Sequence, residues 1–251
     1  MVVNDDGIFA PGIRALIDVV KEIGEVIVVA PDSPQSAKGH ALSIHEPIRI
    51  NRDKKNFPEI EAYECSGTPV DCVKLAKFHV LKDRKIDLCV SGINHGSNAS
   101  INILYSGTMS AAMEASLEGI PSVGFSLDHF SFDANFEPCK PFVKQICDFM
   151  LTHKTMKTNL LNVNFPKLPF ADIKGLKVCR QAEARWIEKF QENRDPMGRP
   201  YYWLTGEFQN DEKDATDTDV WAVANGYVAV VPCFHDLTDY KGIKELNDMG
   251  L

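Results

Sequence analysis

The chain has 251 residues, of which 44% are hydrophobic and 25% are charged. This length is sufficient for one large domain with a buried core, and the composition is that of a globular protein. The net charge of −8 argues against duplex nucleic acid or an anionic membrane as the main partner, because both bind basic patches. A small phosphorylated substrate is not excluded, because a metal ion can offset its charge locally.

The seven cysteines include no Cys-x-x-Cys pair. Their odd number and irregular spacing indicate free thiols in a reducing compartment, not a disulfide framework or a zinc site. The apolar stretch at the start is too short for a signal peptide. No apolar run reaches the roughly 18 residues expected of a membrane span. We therefore expect a cytoplasmic protein.

Strand and helix patterns alternate through the first two thirds of the chain. Strands are predicted at residues 1–3, 25–30, 48–51, 60–65, 86–90, 121–127 and 160–165. Helices are predicted at residues 11–23, 69–80, 109–117 and 141–151. The strand patterns are short β-branched runs, which are typical of buried parallel strands, and the helix patterns have apolar residues at helical spacing. The alternation predicts a doubly wound α/β sheet with right-handed crossovers.

The remaining region, residues 172–251, has a weak helix signal until its last ten residues. Residues 180–214 are polar and charged, and residues 222–232 begin like a helix and end like a strand. The polar segment also contains four aromatic residues that are too apolar to stay solvated in a monomer, which are Trp186, Tyr201, Tyr202 and Trp203. We expect hairpins and arms that project from a core of residues 1–171. Such arms often pair with another subunit, so we expect an oligomer.

Two adjacent carboxylates, Asp5 and Asp6, follow the first short strand. Their side chains converge only if the chain turns, and Asn4 and Gly7 permit such a turn. The carboxyl end of a parallel strand is where open α/β sheets bind ligands. Two negative charges held this close repel each other unless a cation lies between them, which favours a divalent metal site. The alternative is a helix-capping aspartate beside a solvated one.

Three further polar loops follow predicted strands at the same edge of the sheet. They are residues 31–40, 66–71 and 91–98. Each loop also has a simpler interpretation, with Ser36 as a loop hydroxyl, Asn94 as a turn residue and Thr68 as a helix N-cap. Together, their hydroxyl, amide and carboxylate oxygens suit a hard cation such as Mg²⁺ or Mn²⁺, and not zinc.

The segment Tyr-Ser-Gly-Thr at residues 105–108 precedes the predicted helix 109–117. Backbone N–H groups at a helix start form an anion site, here with the hydroxyls of Ser106 and Thr108 beside them and Gly107 allowing close approach. The alternative is a capping motif. Next to a hard-metal cluster, the segment predicts a phosphoryl group held between the metal and the amide donors.

In combination and in order, these motifs resemble the SurE family of survival-protein nucleotidases, which are 5′/3′-nucleoside monophosphate phosphatases. The motifs are N-D-D-G-I-x-A-P-G-I at 4–13, P-D-x(3)-S at 31–36, S-G-T-P-x-D at 66–71, S-G-I-N-x-G-x-N at 91–98 and Y-S-G-T at 105–108. Weaker similarity continues to the end of the chain, with T-D-x-x-A at 218–222 and Gly-Tyr at 226–227.

The resemblance implies a divalent-metal-dependent phosphomonoesterase with a Rossmann-like catalytic core. By motif, one Mg²⁺ or Mn²⁺ ion per subunit is held by four residues, which are Asp5, Asp6, Ser36 and Asn94. Phosphate and substrate contacts are expected from Asn94, Gly96, Asn98, Ser106, Gly107 and Thr108. The C-terminal hairpin and arm region is expected to exchange between subunits of a homodimer or homotetramer.

The expected reaction is hydrolysis of nucleoside 5′- and 3′-monophosphates by metal-activated water, because no serine or cysteine nucleophile is evident. His40 and His95 lie in the site loops, and each is expected to be a bystander or a structural residue and not the general acid or base. Two alternatives remain: a nucleotide-binding regulator without turnover, and another metal-dependent hydrolase on a Rossmann-like core, such as a deacetylase. A regulator has little need for two converging carboxylates, and deacetylases usually add His ligands for zinc.

Overall fold

The computed structural model describes residues 1–131, 133–153 and 156–251. In these residues the strands are β1 (Val2–Val3), β2 (Ile27–Pro31), β3 (Ile50–Arg52), β4 (Glu61–Cys65), β5 (Cys89–His95), β6 (Ser122–Leu127), β7 (Leu160–Phe165), β8 (Leu176–Val178), β9 (Ala184–Arg194), β10 (Pro200–Asn210) and β11 (Val228–Pro232). The helices are α1 (Pro11–Val20), α2 (Pro69–Leu75), α3 (Gly107–Leu117), α4 (Lys140–Thr152), α5 (Asp219–Ala224) and α6 (Tyr240–Asp248). A π-helix at Ala76–Val80 continues α2.

The main sheet has the strand order β3-β4-β2-β1-β5-β6-β7-β11-β8. The strands from β4 to β7 in this order run parallel, whereas β3 and β11 are antiparallel to their inner neighbours. The chain builds the sheet outward from β1 on one side and then returns to β1 and continues with β5 on the other. Ligands of open α/β sheets bind at such a reversal. The predicted doubly wound α/β fold is confirmed.

Helices cover both faces of the central strands. Val2 belongs to the core cluster that includes residues of α1 and α4, and Val3 belongs to the cluster that includes residues of α2 and α3. Successive side chains of a strand point to opposite faces, so a strand covered on both sides must be apolar at every position. This requirement explains why β2 is buried along its whole length.

Strand β5 differs most from the sequence-based prediction. The hydrophobic pattern predicts a strand at residues 86–90, whereas β5 spans Cys89–His95. Its pairing register with β6 shifts between Ser91 and Asn94. A local irregularity of this kind has no hydrophobic periodicity, so the pattern ends before the strand does. Asn94 and His95 consequently lie at the end of β5 and not in the loop after it.

The start of α2 agrees with the sequence. The Thr68 hydroxyl accepts a hydrogen bond from Asp71 N–H at 3.2 Å, and Asp71 Oδ2 accepts one from Thr68 N–H at 2.9 Å. This reciprocal capping box satisfies two N–H groups that the first turn of a helix leaves free. The predicted N-cap role of Thr68 is therefore confirmed.

The C-terminal region both extends the sheet and projects from it. Strands β8 and β11 lie in the main sheet, while β9 and β10 form a separate antiparallel hairpin with 11 residues in each strand. The hairpin exposes large side chains such as Trp203 and Phe190, and α6 has no buried residue. The expected hairpin between residues 180 and 214 is confirmed. Across the described ranges, no helix combines the length and apolar character needed to cross a membrane.

Candidate functional site

The chain turns directly after β1. Asn4 Nδ2 donates a hydrogen bond to the Gly7 carbonyl at 2.8 Å, and Gly7 has a φ of +97°. Side chains rarely adopt this conformation, which explains the need for glycine here. Ile8 N–H then donates to the Pro31 carbonyl at 2.9 Å, at the end of β2. The turn thus ends β1 before the two carboxylates and keeps them at the carboxyl edge of the sheet.

Asp5 is buried at this edge. Its side chain is only 4% exposed, and its Oδ1 accepts a hydrogen bond from the Thr108 hydroxyl at 2.5 Å. Burial and, secondly, the charge of Asp6 raise the pKa of Asp5 to about 6, although hydrogen bonds from Thr108 act in the opposite direction. The carboxylate pair is therefore electrostatically unfavourable without a cation.

Asp6 is held by the end of β5. Its Oδ2 accepts a hydrogen bond from His95 N–H at 3.2 Å and lies 3.1 Å from His95 Nδ1. The imidazole packs edge-on against Phe136, with 4.9 Å between ring centroids. His95 Nε2 is buried and makes no hydrogen bond within the described residues. This geometry gives His95 the role of orienting Asp6.

Ser36 and Asn94 line one cavity together with Asp5. Gln35 N–H donates to the Asp5 carbonyl at 2.7 Å, which ties the loop after β2 to the turn after β1. Asn94 Nδ2 donates to the Gly96 carbonyl at 2.9 Å, so the amide group is oriented while its oxygen remains available. The four predicted ligand residues thus come from the ends of three neighbouring strands.

These residues fit a hard divalent cation. They offer two carboxylates, one hydroxyl and one amide oxygen, and Mg²⁺ is typically bound through one or two carboxylates while it keeps several waters. Burial and, secondly, the charge of Asp6 disfavour the ionised form of Asp5 and raise its pKa, and a bound cation would favour the ionised form. Residues 1–131, 133–153 and 156–251 contain no group of three or more His, Cys, Asp or Glu side chains that could hold a metal ion. The proposed set is different in kind, because two of its four donors are neutral oxygens.

The start of α3 lies directly against Asp5. A Cβ atom on Gly107 would be only 2.7 Å from Asp5 Cβ and 2.9 Å from Asp5 Oδ2. Ser106 is the N-cap, and its Oγ accepts a hydrogen bond from Met109 N–H at 3.0 Å. Thr108 is fully buried and uses its hydroxyl to bond Asp5. The predicted anion site and the predicted metal site are therefore adjacent.

Gly96 and Asn98 shape the loop after β5. A side chain on Gly96 would overlap the ring of Phe130, since its Cβ would lie 2.3 Å from the nearest ring carbon. Asn98 is buried, and it donates through its backbone to Asn164 Oδ1 and through its side chain to Ser126 Oγ, both at 2.7 Å. Both predicted residues border the cavity, and Asn98 also anchors the loop to β6 and β7.

The cavity has a volume of about 570 Å³ and includes residues that the sequence did not identify. Those distant in sequence from the metal motifs are Phe130, Trp186, Glu188, Leu204, Thr205 and Gly206. Trp186 Nε1 donates to Asn102 Oδ1 at 2.8 Å, which docks the base of the hairpin beside the segment that precedes α3. No local motif marks these residues, because they meet only when the hairpin folds over the sheet edge.

The fold and the site together define an α/β protein with an oxygen-rich candidate site at the reversal point of its sheet. The family model described as "Survival protein SurE" matches residues 1–188. Because this match covers well over half of the chain, the chain belongs to the SurE family. The resemblance inferred from the motifs is thus confirmed.

Individual relatives match along nearly the whole chain. A protein named 5′-nucleotidase SurE from Cytophaga hutchinsonii is 60% identical over 248 residues, covering 98% of this chain and 95% of that protein. A protein of the same name from Flavobacterium psychrophilum is 55% identical over 251 residues, covering 100% and 97%. The crystal structure of the SurE protein from Aquifex aeolicus superposes with a TM-score of 0.83 at 40% identity, covering 99% and 98%.

Proposed function

We propose that this protein is a divalent-metal-dependent 5′-nucleotidase, which hydrolyses nucleoside monophosphates to nucleoside and phosphate. The observation that carries the proposal is the contact between Asp5 and the start of α3. A carboxylate pair suited to a hard cation lies beside a helix start suited to a phosphoryl group. Relatives that share more than half of their residues with this chain bear the name 5′-nucleotidase SurE, which supports the same activity here.

In the proposal, one Mg²⁺ or Mn²⁺ ion per subunit is held by Asp5, Asp6, Ser36 and Asn94. When bound, the ion supplies charge neutralisation for the phosphoryl group and acidification of a water ligand. Asp5 contributes a buried negative charge at a fixed position, since Thr108 holds its carboxylate. Asp6 is oriented by the backbone and the side chain of His95.

The phosphoryl group would lie at the N-terminus of α3. There the Gly107 N–H group and the Ser106 hydroxyl can donate hydrogen bonds, and the positive end of the helix dipole favours an anion. The Thr108 hydroxyl acts on this group only through Asp5, because that is where it donates its proton. Phosphoryl transfer depends mainly on positioning and charge stabilisation, which these groups supply without a protein nucleophile.

The nucleoside would occupy the rest of the cavity. Its walls include Tyr105, Phe130 and Trp186. Aromatic faces stack on bases with little regard to base identity, so we propose a broad base preference. The contacts at α3 involve the phosphoryl group and not the sugar position that carries it, which supports 3′-monophosphates as further substrates.

We also propose that the protein is a cytoplasmic homodimer or homotetramer in which the C-terminal hairpin and the segment after β11 pack against a neighbouring subunit, while β8 and β11 stay in the sheet of their own chain. The support is the large apolar surface that the hairpin and α6 leave uncovered in one subunit. On α6 and its flanks these side chains are Leu237, Tyr240, Ile243, Leu246, Met249 and Leu251. Apolar surface of this extent generally marks a protein interface.

The experiment is a phosphate-release assay on a panel of 5′- and 3′-nucleoside monophosphates, with a simple aryl phosphate as comparison. We expect turnover of the nucleotides with added Mg²⁺ or Mn²⁺. Nucleotide binding without phosphate release would favour the regulatory alternative. Turnover of acylated amines but not of phosphates would favour a hydrolase of another class.

A further inference from the structure

The loop that carries Ser36 has little structure of its own. Residues 32–49 connect β2 to β3 without regular secondary structure, and none of them is buried. Loops of this kind are the most mobile parts of a fold unless specific contacts hold them. A ligand residue on such a loop is useful only if the loop returns to one position.

Backbone contacts hold the loop at several points. Gln35 N–H donates to the Asp5 carbonyl at 2.7 Å, and Gly39 N–H donates to the Tyr105 carbonyl at 3.3 Å. In the middle of the segment, the Thr68 hydroxyl donates to the Ala41 carbonyl at 2.8 Å. Between these points one side chain reaches inward. His40 Nε2 lies 2.8 Å from Glu114 Oε2.

Glu114 is a buried carboxylate that joins three elements. It belongs to α3, is 5% exposed, and pairs with Lys74 of α2 as well as with His40 of the loop. Burial alone would raise the pKa of Glu114, but the hydrogen bonds from Lys74 and His40 outweigh burial and lower it. Lys74 keeps the buried charge paired, since an unpaired buried charge is strongly unfavourable, and His40 adds the second partner, which belongs to the loop.

The placement of Glu114 along α3 relates it to the proposed site. Glu114 follows Gly107 by seven residues, and residues seven apart lie on the same face of an α-helix. The helix therefore touches Asp5 at its first turn and His40 two turns later. One rigid helix thus contacts both the turn that carries the carboxylate pair and the loop that carries Ser36.

We infer that Glu114 is a positioning residue, which fixes the Ser36 loop to α3 through His40. The expected effect on substrate kinetics rests on the proposed function, whereas the contact between the loop and α3 does not depend on that function. Loss of the contact should loosen the loop around Lys38, which is exposed and only two residues from His40. It should also weaken the binding of metal and substrate, since Ser36 is then less often in place.

The first test is limited trypsin digestion of the metal-free protein in EDTA, with fragments identified by mass spectrometry. The variants are His40→Ala and Glu114→Gln, and the matched control is His45→Ala, in the same loop. His45 is exposed and forms no hydrogen bond or ion pair with the described residues. We expect cleavage after Lys38 to become about tenfold faster in His40→Ala and to stay unchanged in the control. About tenfold is the change expected when local opening of the loop no longer has to break a hydrogen bond to a charged group.

The second test is steady-state kinetics with titrated Mn²⁺. In His40→Ala we expect KM and the half-saturating metal concentration to rise about tenfold, with a smaller change in kcat and the same melting temperature as His45→Ala. His40→Gln, which keeps an N–H donor, should restore part of the loss. Because Glu114→Gln alters a buried group and can reduce stability, His40→Ala is the decisive variant.

The outcomes separate the two proposals. Wild-type cleavage after Lys38 in His40→Ala overturns the inference, and so does faster cleavage with unchanged KM and metal affinity. Faster cleavage together with weaker calorimetric Mn²⁺ binding supports it. If the wild-type protein releases no phosphate from any nucleotide, the proposed function fails, and the digestion and calorimetry still decide whether Glu114 positions the loop.

Discussion

Gly107 offers the sharpest perturbation of the site, because it lies between the proposed phosphate and metal positions. In Gly107→Ala the new Cβ would lie 2.7 Å from Asp5 Cβ, whereas ordinary contacts of this kind begin at 3.4 Å. The Asp5 side chain would have to shift by about 0.7 Å. It is not free to do so, since it is buried and bonded to Thr108.

The magnitudes follow from this displacement. Overpacking a buried position costs about 1–3 kcal/mol, and the better helix propensity of alanine offsets up to about 1 kcal/mol of that. A displacement near 1 Å in a catalytic arrangement can reduce the rate by about 10²-fold. We therefore expect Gly107→Ala to lower kcat/KM by about 10²-fold while the free energy of unfolding falls by only about 1–2 kcal/mol. Gly107→Val should reduce both further.

The assay combines phosphate release from AMP with urea unfolding of the same preparation. Gly24→Ala is the matched control, because no atom lies within 4 Å of the added Cβ at that position. Near-wild-type kcat/KM in Gly107→Ala would refute the proposed role of the Asp5–α3 contact. A loss of activity that merely tracks the loss of folded protein would refute it as well.

The remaining predictions concern the metal site and the assembly. Asp6→Asn should abolish phosphate release and leave the circular dichroism spectrum unchanged, and turnover by this variant in chelated buffer would contradict the metal site. Because the pKa of Asp5 is raised to about 6 from 3.8, the contribution of Asp5 to the stability of the metal-free fold should be complete below about pH 4, and about 3 kcal/mol of it should be lost as pH rises through 6, measured by urea unfolding against Asp5→Asn. Metal and protons compete for Asp5, so activity should fall below pH 6, and excess Mn²⁺ should move this fall in activity to lower pH. A fall in activity at the same pH at every metal concentration would count against Asp5 as a metal ligand. Thr108→Val should weaken Mn²⁺ binding measured by calorimetry, whereas Thr108→Ser, which keeps the donor, should be nearly neutral; equal effects would show that the hydroxyl is irrelevant. Light scattering should give two or four times 28.0 kDa, and a clean monomer would contradict the proposed assembly.

The local part of the site could be predicted from sequence because its signals are local. Asp5 and Asp6 follow an apolar strand and precede a glycine turn, and residues 105–108 carry a capping hydroxyl before a helix. The alternation of apolar runs and amphipathic segments likewise predicted the parallel sheet and the helices that cover it. These features depend on neighbours in the chain, which a single sequence displays.

Contacts between distant segments could not be predicted in this way. The bond between His95 and Asp6 joins residues 89 positions apart, and Trp186 reaches the cavity only after the hairpin folds over it. The shift in register within β5 also has no periodic signature, so the predicted end of that strand was wrong. Gly107 illustrates the difference: the sequence suggests that it allows a phosphoryl group to approach, and the structure adds that a side chain there would displace Asp5.

The most direct test of the central claim is phosphate release from AMP by protein stripped with EDTA and then reconstituted with Mn²⁺. If the carboxylate pair holds a divalent ion that the reaction requires, the stripped wild-type protein is inactive, added Mn²⁺ restores turnover, and Asp6→Asn stays inactive at every metal concentration. Equal phosphate release before and after stripping, or restoration of Asp6→Asn to wild-type turnover by Mn²⁺, would contradict the claim.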